Sequence, residues 1–340
     1  MRTVSAMVAL CVAVTAAGDS LPCASCHDKQ GHAQPQTSMA HALELPAANL
    51  VLQAHPHLVF HRGAYTWTVE RRGDAYSYSV TDGSSTISLP IVWALGAKSQ
   101  TWVLEYNGHL YESLVSYFPG IDGLDLTMGD DRLQPATLVE AMGRLLANAE
   151  VRPCFQCHAT AAVANDDIQF RSLVPGVQCE HCHTGAAQHA ADIVRGKLDS
   201  VPPKLGRLSA EGVANFCGQC HRSFADVIRD RMFGQVDVRF QPYRLSLSKC
   251  FDGSDKRISC LACHDPHREV DHDDASYDPK CTACHQQSGK AKLCPVAKSG
   301  CVSCHMPKVQ LPGGHSLFTD HFIRSPHSGE PFPDSPATGQ

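Results

Sequence analysis

Residues 154–183 read CFQCHATAAVANDDIQFRSLVPGVQCEHCH. The stretch opens and closes on the same five-residue pattern, Cys-x-x-Cys-His. Two thiols three positions apart lie on one side of a helical turn. Each can form a thioether with a haem vinyl group, and the His that follows presents an imidazole to the iron. The chain carries seven such motifs: Cys23 to His27, Cys154 to His158, Cys179 to His183, Cys217 to His221, Cys260 to His264, Cys281 to His285 and Cys301 to His305. Composition alone would give roughly 0.05 occurrences, so chance is excluded. Structural zinc and thiol redox chemistry also use Cys-x-x-Cys, but neither needs a His after every pair. The expected cofactors are seven covalently bound haem c groups. Their attachment residues are Cys23, Cys26, Cys154, Cys157, Cys179, Cys182, Cys217, Cys220, Cys260, Cys263, Cys281, Cys284, Cys301 and Cys304. The proximal ligands are His27, His158, His183, His221, His264, His285 and His305.

The rest of the chain is read around these motifs. It has 340 residues, 29 basic and 34 acidic side chains, and a formal charge of −5. Hydrophobic residues make up 43%, which excludes wholesale disorder. Two propionates per haem and a net positive charge per oxidised iron shift the balance to roughly −12. That charge excludes a nucleic-acid binder and suits small basic partners. Residues 1–17 hold one charge, Arg2, before a stretch of small and apolar residues, the form of an export signal. A buried N-terminal helix is the competing reading, and lipid modification at Cys11 a third. No later stretch approaches the length of a membrane span. The protein is expected to be exported: to the periplasm, the outer membrane or the cell exterior. Cys250 and Cys294 stand outside the motifs and read either as a disulfide or as two free thiols.

Motif density divides the chain. The expected divisions are an export signal (1–17), a first haem segment (18–45), a haem-free β-rich unit ending in a helix (46–150), a six-haem domain (151–325) and a loose tail (326–340). In the six-haem domain porphyrins take the place of a side-chain core, wrapped by short helices and loops. A helix is expected from Ser209 to His221, with Ser209 as N-cap. In the haem-free unit Tyr65, Trp67 and Val69 alternate, as do Tyr76, Tyr78 and Val80. Asp82-Gly83 and Asn107-Gly108 are hairpin signals. Residues 135–149 have the period of an amphipathic helix, with Leu138, Met142 and Leu145 on one face. The fold expected is mainly α and irregular, with haems as the core and a small antiparallel β unit in the N-terminal half.

The sixth iron position decides between electron transfer and catalysis. Thirteen of the twenty His lie outside the proximal positions, and His181 inside a motif is poorly placed. His189, His267, His315 and His321 lie close behind motifs and are candidate distal ligands. His41 competes with Met39 near the first haem, and a Met would raise its potential. His55 and His61 flank the β unit, as does His57. The acidic loop Asp271, Asp273, Asp274 and Asp278 lacks regular calcium-loop spacing and reads as solvated.

Three stretches resemble a known superfamily. Residues 301–324, CVSCHMPKVQLPGGHSLFTDHFIR, resemble the last-haem region of pentahaem cytochrome c nitrite reductases, which implies a distal-ligand role for His321. Residues 175–189, PGVQCEHCHTGAAQH, are similar to the third-haem region of the tetrahaem electron carrier of ammonia oxidisers, which implies that His189 ligates another haem. CHDPH at 263–267 is similar to segments of multihaem reductases and their partners, which supports His267. The departures are as informative. All seven motifs end in His, whereas nitrite reductases carry a Lys at the catalytic haem. Arg222-Ser223-Phe224 follows His221 where those enzymes have a Tyr. No Tyr matches the crosslinking residue of hydroxylamine oxidoreductases. The resemblance therefore carries over the haem relay without catalytic residues.

The function expected first is an exported heptahaem cytochrome that relays single electrons between redox proteins, its donors and acceptors, in a respiratory chain. A reductase of a small nitrogen or sulfur oxyanion at one open haem is the alternative, with the first haem as the better site and the fourth as the weaker. A subunit of an extracellular cytochrome filament is the third. A pyridine haemochrome assay of the mature protein is expected to give seven haems per chain. Replacing both Cys of any one motif by Ser should lower that number by one and leave the rest attached.

Overall fold

The computed structural model describes residues 23–130, 133–285 and 294–325. The expected export signal and tail lie outside the described residues. The first motif forms a 3-10 turn, Cys23–Ser25, followed by helix α1, Asp28–Ala33. The short strand β1, Leu43–Glu44, and helix α2, Leu50–Ala54, lead into the sheet.

Alternation of apolar and polar side chains builds that sheet. Strands β2 (His57–Arg62), β3 (Tyr65–Arg72), β4 (Ala75–Thr81), β5 (Thr86–Leu95), β6 (Thr101–Tyr106) and β7 (His109–Ser113) run antiparallel in chain order. Trp67 pairs with Val80 and Val69 with Tyr78, so both apolar series share one face. All four are buried, together with Trp102 and Leu104. The Asn107-Gly108 turn joins β6 to β7 in two residues, with φ of 52° and 75°. Positive φ at both positions is what a type I′ hairpin requires, and Asn and Gly tolerate it best. Strand β5 is shared along its length. Thr86 to Pro90 pair with β4, and Ile91 to Leu95 pair with β6 across a bulge; Leu95 also pairs with Leu43 of β1. The bulge bends the sheet into a half-barrel. The hairpin of β8, Val115–Phe118, and β9, Gly123–Leu126, closes its mouth, and all four residues of β8 are buried.

Three expectations are corrected: the helix over 135–149, the small size of the β unit, and the mainly α and irregular fold. The helix over 135–149 is only one turn, α3, Leu138–Met142. At Gly143 φ is 148°, and a Cβ there would strike the Glu112 carbonyl. The chain instead leaves the helix and pairs Gly143–Leu145, strand β10, with β7. The β unit is also larger than expected: its main sheet has eight strands. The fold is mixed α and β because the alternating pattern runs unbroken through six hairpin-linked strands, whereas each motif needs only about one helical turn.

The second half begins with α4, Asn148–His158, which ends on the second motif. Phe155, inside that motif, is fully buried and meets Trp93 of β5 edge to face at 5.9 Å. It joins Leu43, Leu95, Val103 and Val151 in a cluster on the sheet's other face. The short helices α5 (Cys179–Cys182), α6 (Ala186–Val194), α7 (Ala210–His221), α8 (Phe224–Asp230), α9 (Gln241–Ser246), α10 (Cys260–Cys263), α11 (Asp278–His285) and α12 (Cys301–His305) come next. Ser209 caps α7 as expected, its side chain accepting from the Gly212 amide. The one apolar cluster of described residues in this half is small, built on Val227, Phe240 and Tyr243. No described helix is long and apolar enough to cross a membrane.

Trp67 tests the sheet core. It is buried, and its indole Nε1 donates to the Ala141 carbonyl at 2.7 Å, which pins α3 to β3. Trp67→Phe should cost about 1–3 kcal/mol by orphaning that carbonyl. Trp67→Ala should cost about 3–5 kcal/mol. Chemical unfolding monitored by far-UV circular dichroism checks both.

Candidate haem centres

Each motif lies on a tight turn that gathers its residues. The His183 and His264 amides donate to the Cys179 and Cys260 carbonyls at 2.9 and 2.8 Å, and His27 does the same to Cys23 at 2.8 Å. These bonds set the two sulfurs on one side and the imidazole at the end of the turn. The second and fourth motifs use the last turns of α4 and α7 in the same way.

Three motif imidazoles face a second imidazole from elsewhere in the chain. His27 and His189 have ring centroids 6.3 Å apart, His183 and His267 6.0 Å, and His264 and His321 6.2 Å. Two imidazoles on opposite sides of one iron, each bonded at about 2.0 Å, have centroids about 6.2 Å apart. The residues present therefore fit a bis-His haem iron at these three places. Their Nδ1 atoms are also arranged for it. His267 Nδ1 donates to Asp265 at 3.0 Å and His321 Nδ1 to the Thr319 carbonyl at 3.0 Å, while His189 Nδ1 donates to the Ser200 carbonyl. Among the proximal rings, His158 Nδ1 donates to the Ala42 carbonyl at 2.8 Å and His305 Nδ1 to the Arg324 carbonyl at 2.7 Å. A proton held on Nδ1 leaves the Nε2 lone pair for a metal. Burial pushes His321 down to about 4 and lowers His183, His221 and His264 as well. At neutral pH these rings are uncharged, which is the ligating form.

The backbone explains why distant motifs meet. The Val177 amide donates to the Met39 carbonyl at 2.9 Å, and Gln34 Nε2 to the Val177 carbonyl at 2.6 Å. Gly176 has φ of 75°, and a Cβ there would strike the Ala40 carbonyl. This close crossing lays the first segment along the approach to the third motif, where Cys23 neighbours Cys179. Glu269 reinforces it from the far side, accepting from the Ser38 amide and hydroxyl at 2.6 and 2.7 Å. Sulfurs of other motifs also meet in pairs: Cys157 with Cys220, Cys217 with Cys260, and Cys281 with Cys301. Order in space thus differs from order in sequence.

The fourth motif is different. Beside His221 lies a cavity of about 400 Å³, lined also by Cys220, Arg222, Met232, Val236, Arg239 and Phe240. No second His lines it. The Arg239 Nε is buried without a hydrogen-bond partner, and its Nη1 lies 3.2 Å from the Met128 sulfur. Burial, then the Arg222 charge, depress the Arg239 pKa. His221 is exposed by area, yet enough protein surrounds it for burial to lower its pKa. The two agree when the ring lies at the mouth of a cavity open to solvent. Two cationic groups in a partly dehydrated cavity favour an anion, either haem propionates or a small oxyanion.

Other residues singled out in the sequence have other partners. His55 Nε2 lies 3.5 Å from Asp122, with its ring on Tyr117 at 4.8 Å. His61 is exposed on β2, its Nδ1 2.8 Å from the Thr66 hydroxyl. His315 Nε2 is 2.6 Å from Asp125, tying the last loop to β9. His41 Nδ1 meets Glu44 at 2.7 Å, and Glu44 also accepts from Asn49. None of these four rings pairs with a motif imidazole among the described residues. Cys250 and Cys294 are separate free thiols rather than a disulfide, with Cys250 in the surroundings of Cys284. Sequence reasoning missed Arg239, Arg244 and Glu269; the run Arg-Glu after CHDPH was the only signal for Glu269.

This geometry and motif set define a class: the protein is a multihaem c-type cytochrome of electron-transfer type. Residues 135–184, spanning the second and third motifs, match the family model of cytochrome c554 and c-prime. In three dimensions the chain is similar to the outer cell wall cytochrome OcwA, with a TM-score of 0.51 and 13% identity over 89% of this chain and 78% of that one. That likeness extends to the sheet and the helical half together. No curated protein matches the sequence.

Proposed function

We propose that the protein is an exported heptahaem cytochrome that relays single electrons between redox proteins. The three imidazole pairs at 6.0–6.3 Å carry this reading. When bound, each haem supplies a one-electron iron couple. The chain does the rest. Each Cys pair tethers one porphyrin, and the following His holds the iron. His189, His267 and His321 close the second side at His27, His183 and His264. Closed irons change oxidation state with little rearrangement and admit no substrate. The thiol neighbours support an arrangement with the first motif beside the third, the fourth between the second and fifth, and the sixth beside the seventh. The periplasm or cell surface is the proposed location, with basic redox proteins as partners.

The cavity at His221 favours a second reading, a reductase of a small nitrogen or sulfur oxyanion. There Arg222 and Arg239 would hold the anion and His221 the iron. Protein-film voltammetry separates the two. The relay is expected to give reversible waves over a broad potential range that nitrite, hydroxylamine and tetrathionate leave unchanged. A catalytic current with one of them, with KM raised about tenfold or more by loss of a charged contact in Arg239→Gln, would overturn the relay in favour of the reductase.

A further inference from the structure

Arg244, Asp237 and Asp320 have side chains with 0% exposure, deep in the haem-bearing half. Asp320 Oδ1 accepts from Arg244 Nε at 2.8 Å and from the Phe322 amide at 3.0 Å. Its Oδ2 accepts from Arg244 Nη2 at 2.8 Å and Arg324 Nη1 at 2.6 Å. All four lone-pair positions of the carboxylate are filled. Arg244 Nη1 lies 3.2 Å from Asp237, so two Arg and two Asp balance in charge. The guanidinium groups of Arg244 and Arg324 lie 5.4 and 5.1 Å from the centre of the Phe322 ring.

Burying charges in this way costs several kcal/mol of desolvation per ion, and apolar side chains of the same volume often do as well or better for stability. What charges give that apolar groups do not is direction. The cluster encloses one residue. Asp320 bonds to the amide on the far side of His321, and Ser248 Oγ donates to the His321 carbonyl at 3.3 Å while accepting from the Ile323 amide at 2.8 Å. The Asp320 amide donates to the Pro307 carbonyl at 3.0 Å. At the end of the strap the seventh motif is reached: Arg324 donates its amide to the His305 carbonyl at 3.2 Å and accepts from His305 Nδ1 at 2.7 Å.

We infer that Arg244 and Asp320 are positioning residues that hold His321 against the iron borne by His264, through the clamp they form on the 320–324 strap. The inference rests on the reading that His264 and His321 share an iron. The 6.2 Å ring separation is set by a loop without regular secondary structure, and a loop holds such a distance only if its backbone is fixed. The bidentate Arg244 to Asp320 contact fixes it from helix α9, a rigid element of the scaffold.

The test reads carbon monoxide bound per chain in the dithionite-reduced holoprotein, with the spin state of the oxidised form. His321→Ala should gain one carbon monoxide per chain over the unmodified protein and one high-spin iron. Asp320→Asn and Arg244→Met should gain the same site, and Arg244→Lys should retain most of the original spectrum. Arg324→Gln lies at the rim and keeps the buried pair, so it tests the clamp even where a buried substitution prevents folding, and should give a partial carbon monoxide complex. Variants that only melt at lower temperature, with carbon monoxide stoichiometry and spin unchanged while His321→Ala gains a site, would overturn the clamp. If His321→Ala itself gains none, the shared iron is wrong and the clamp falls with it.

Discussion

An imidazole serves an iron through one nitrogen, and the other nitrogen must be told where to point. That requirement organises the haem-bearing half of this protein. Carbonyls of Ala42, Ser200, Thr319 and Arg324 and the carboxylate of Asp265 each take an Nδ1 proton. None of these acceptors belongs to a long helix. They lie in loops and strand ends, where carbonyls are free of a helical ladder and can face a side chain. Short helices and long loops are thus a consequence of the ligand demand. A more helical chain would have its carbonyls already engaged.

The sheet supplies the fixed frame to which those loops are tied. The Ala42 carbonyl accepts from both the Gly96 amide and His158, so one atom joins the edge of the sheet to a motif imidazole. Phe155 does the same by packing, as a motif residue buried against Trp93. Lys98 and Glu269, 3.4 Å apart, bind the sheet to the loop bearing His267. Among the described residues, a side-chain core of ordinary size exists only in the N-terminal half, and it gives the second half a surface to build on.

Much of this was legible in the sequence, and the limits are physical. The motifs, the alternating strands, the Asn-Gly hairpin and the Ser209 cap are local signals, set by residues within one turn or one strand pair. His189, His267 and His321 stood out because each trails a motif, and the fold sets each ring beside the imidazole of a different motif. His315 shared that signal but found Asp125 first, since nothing in spacing reports a carboxylate 190 positions away. The helix over 135–149 failed for a related reason. Its apolar period is real, but Gly143 lies where β7 needs a partner, and the sheet edge outweighs one more turn of helix. The Arg239 cavity and the Arg244 cluster join residues that carry no pattern until the chain is folded.

Two neighbouring imidazoles, His221 and His321, lie in contrasting surroundings. His221 and His321 are close enough to influence each other's charge. Around His321 both carboxylate oxygens of Asp320 have partners, the cluster is balanced, and the half-buried ring faces another imidazole. Beside His221 the cavity holds two arginines, a buried Nε without a partner, and no second His. The fourth motif neighbours the second through Cys157 and Cys220 and the fifth through Cys217 and Cys260. An anion held by Arg222 and Arg239 would supply beside His221 the balance that Asp237 and Asp320 supply beside His321.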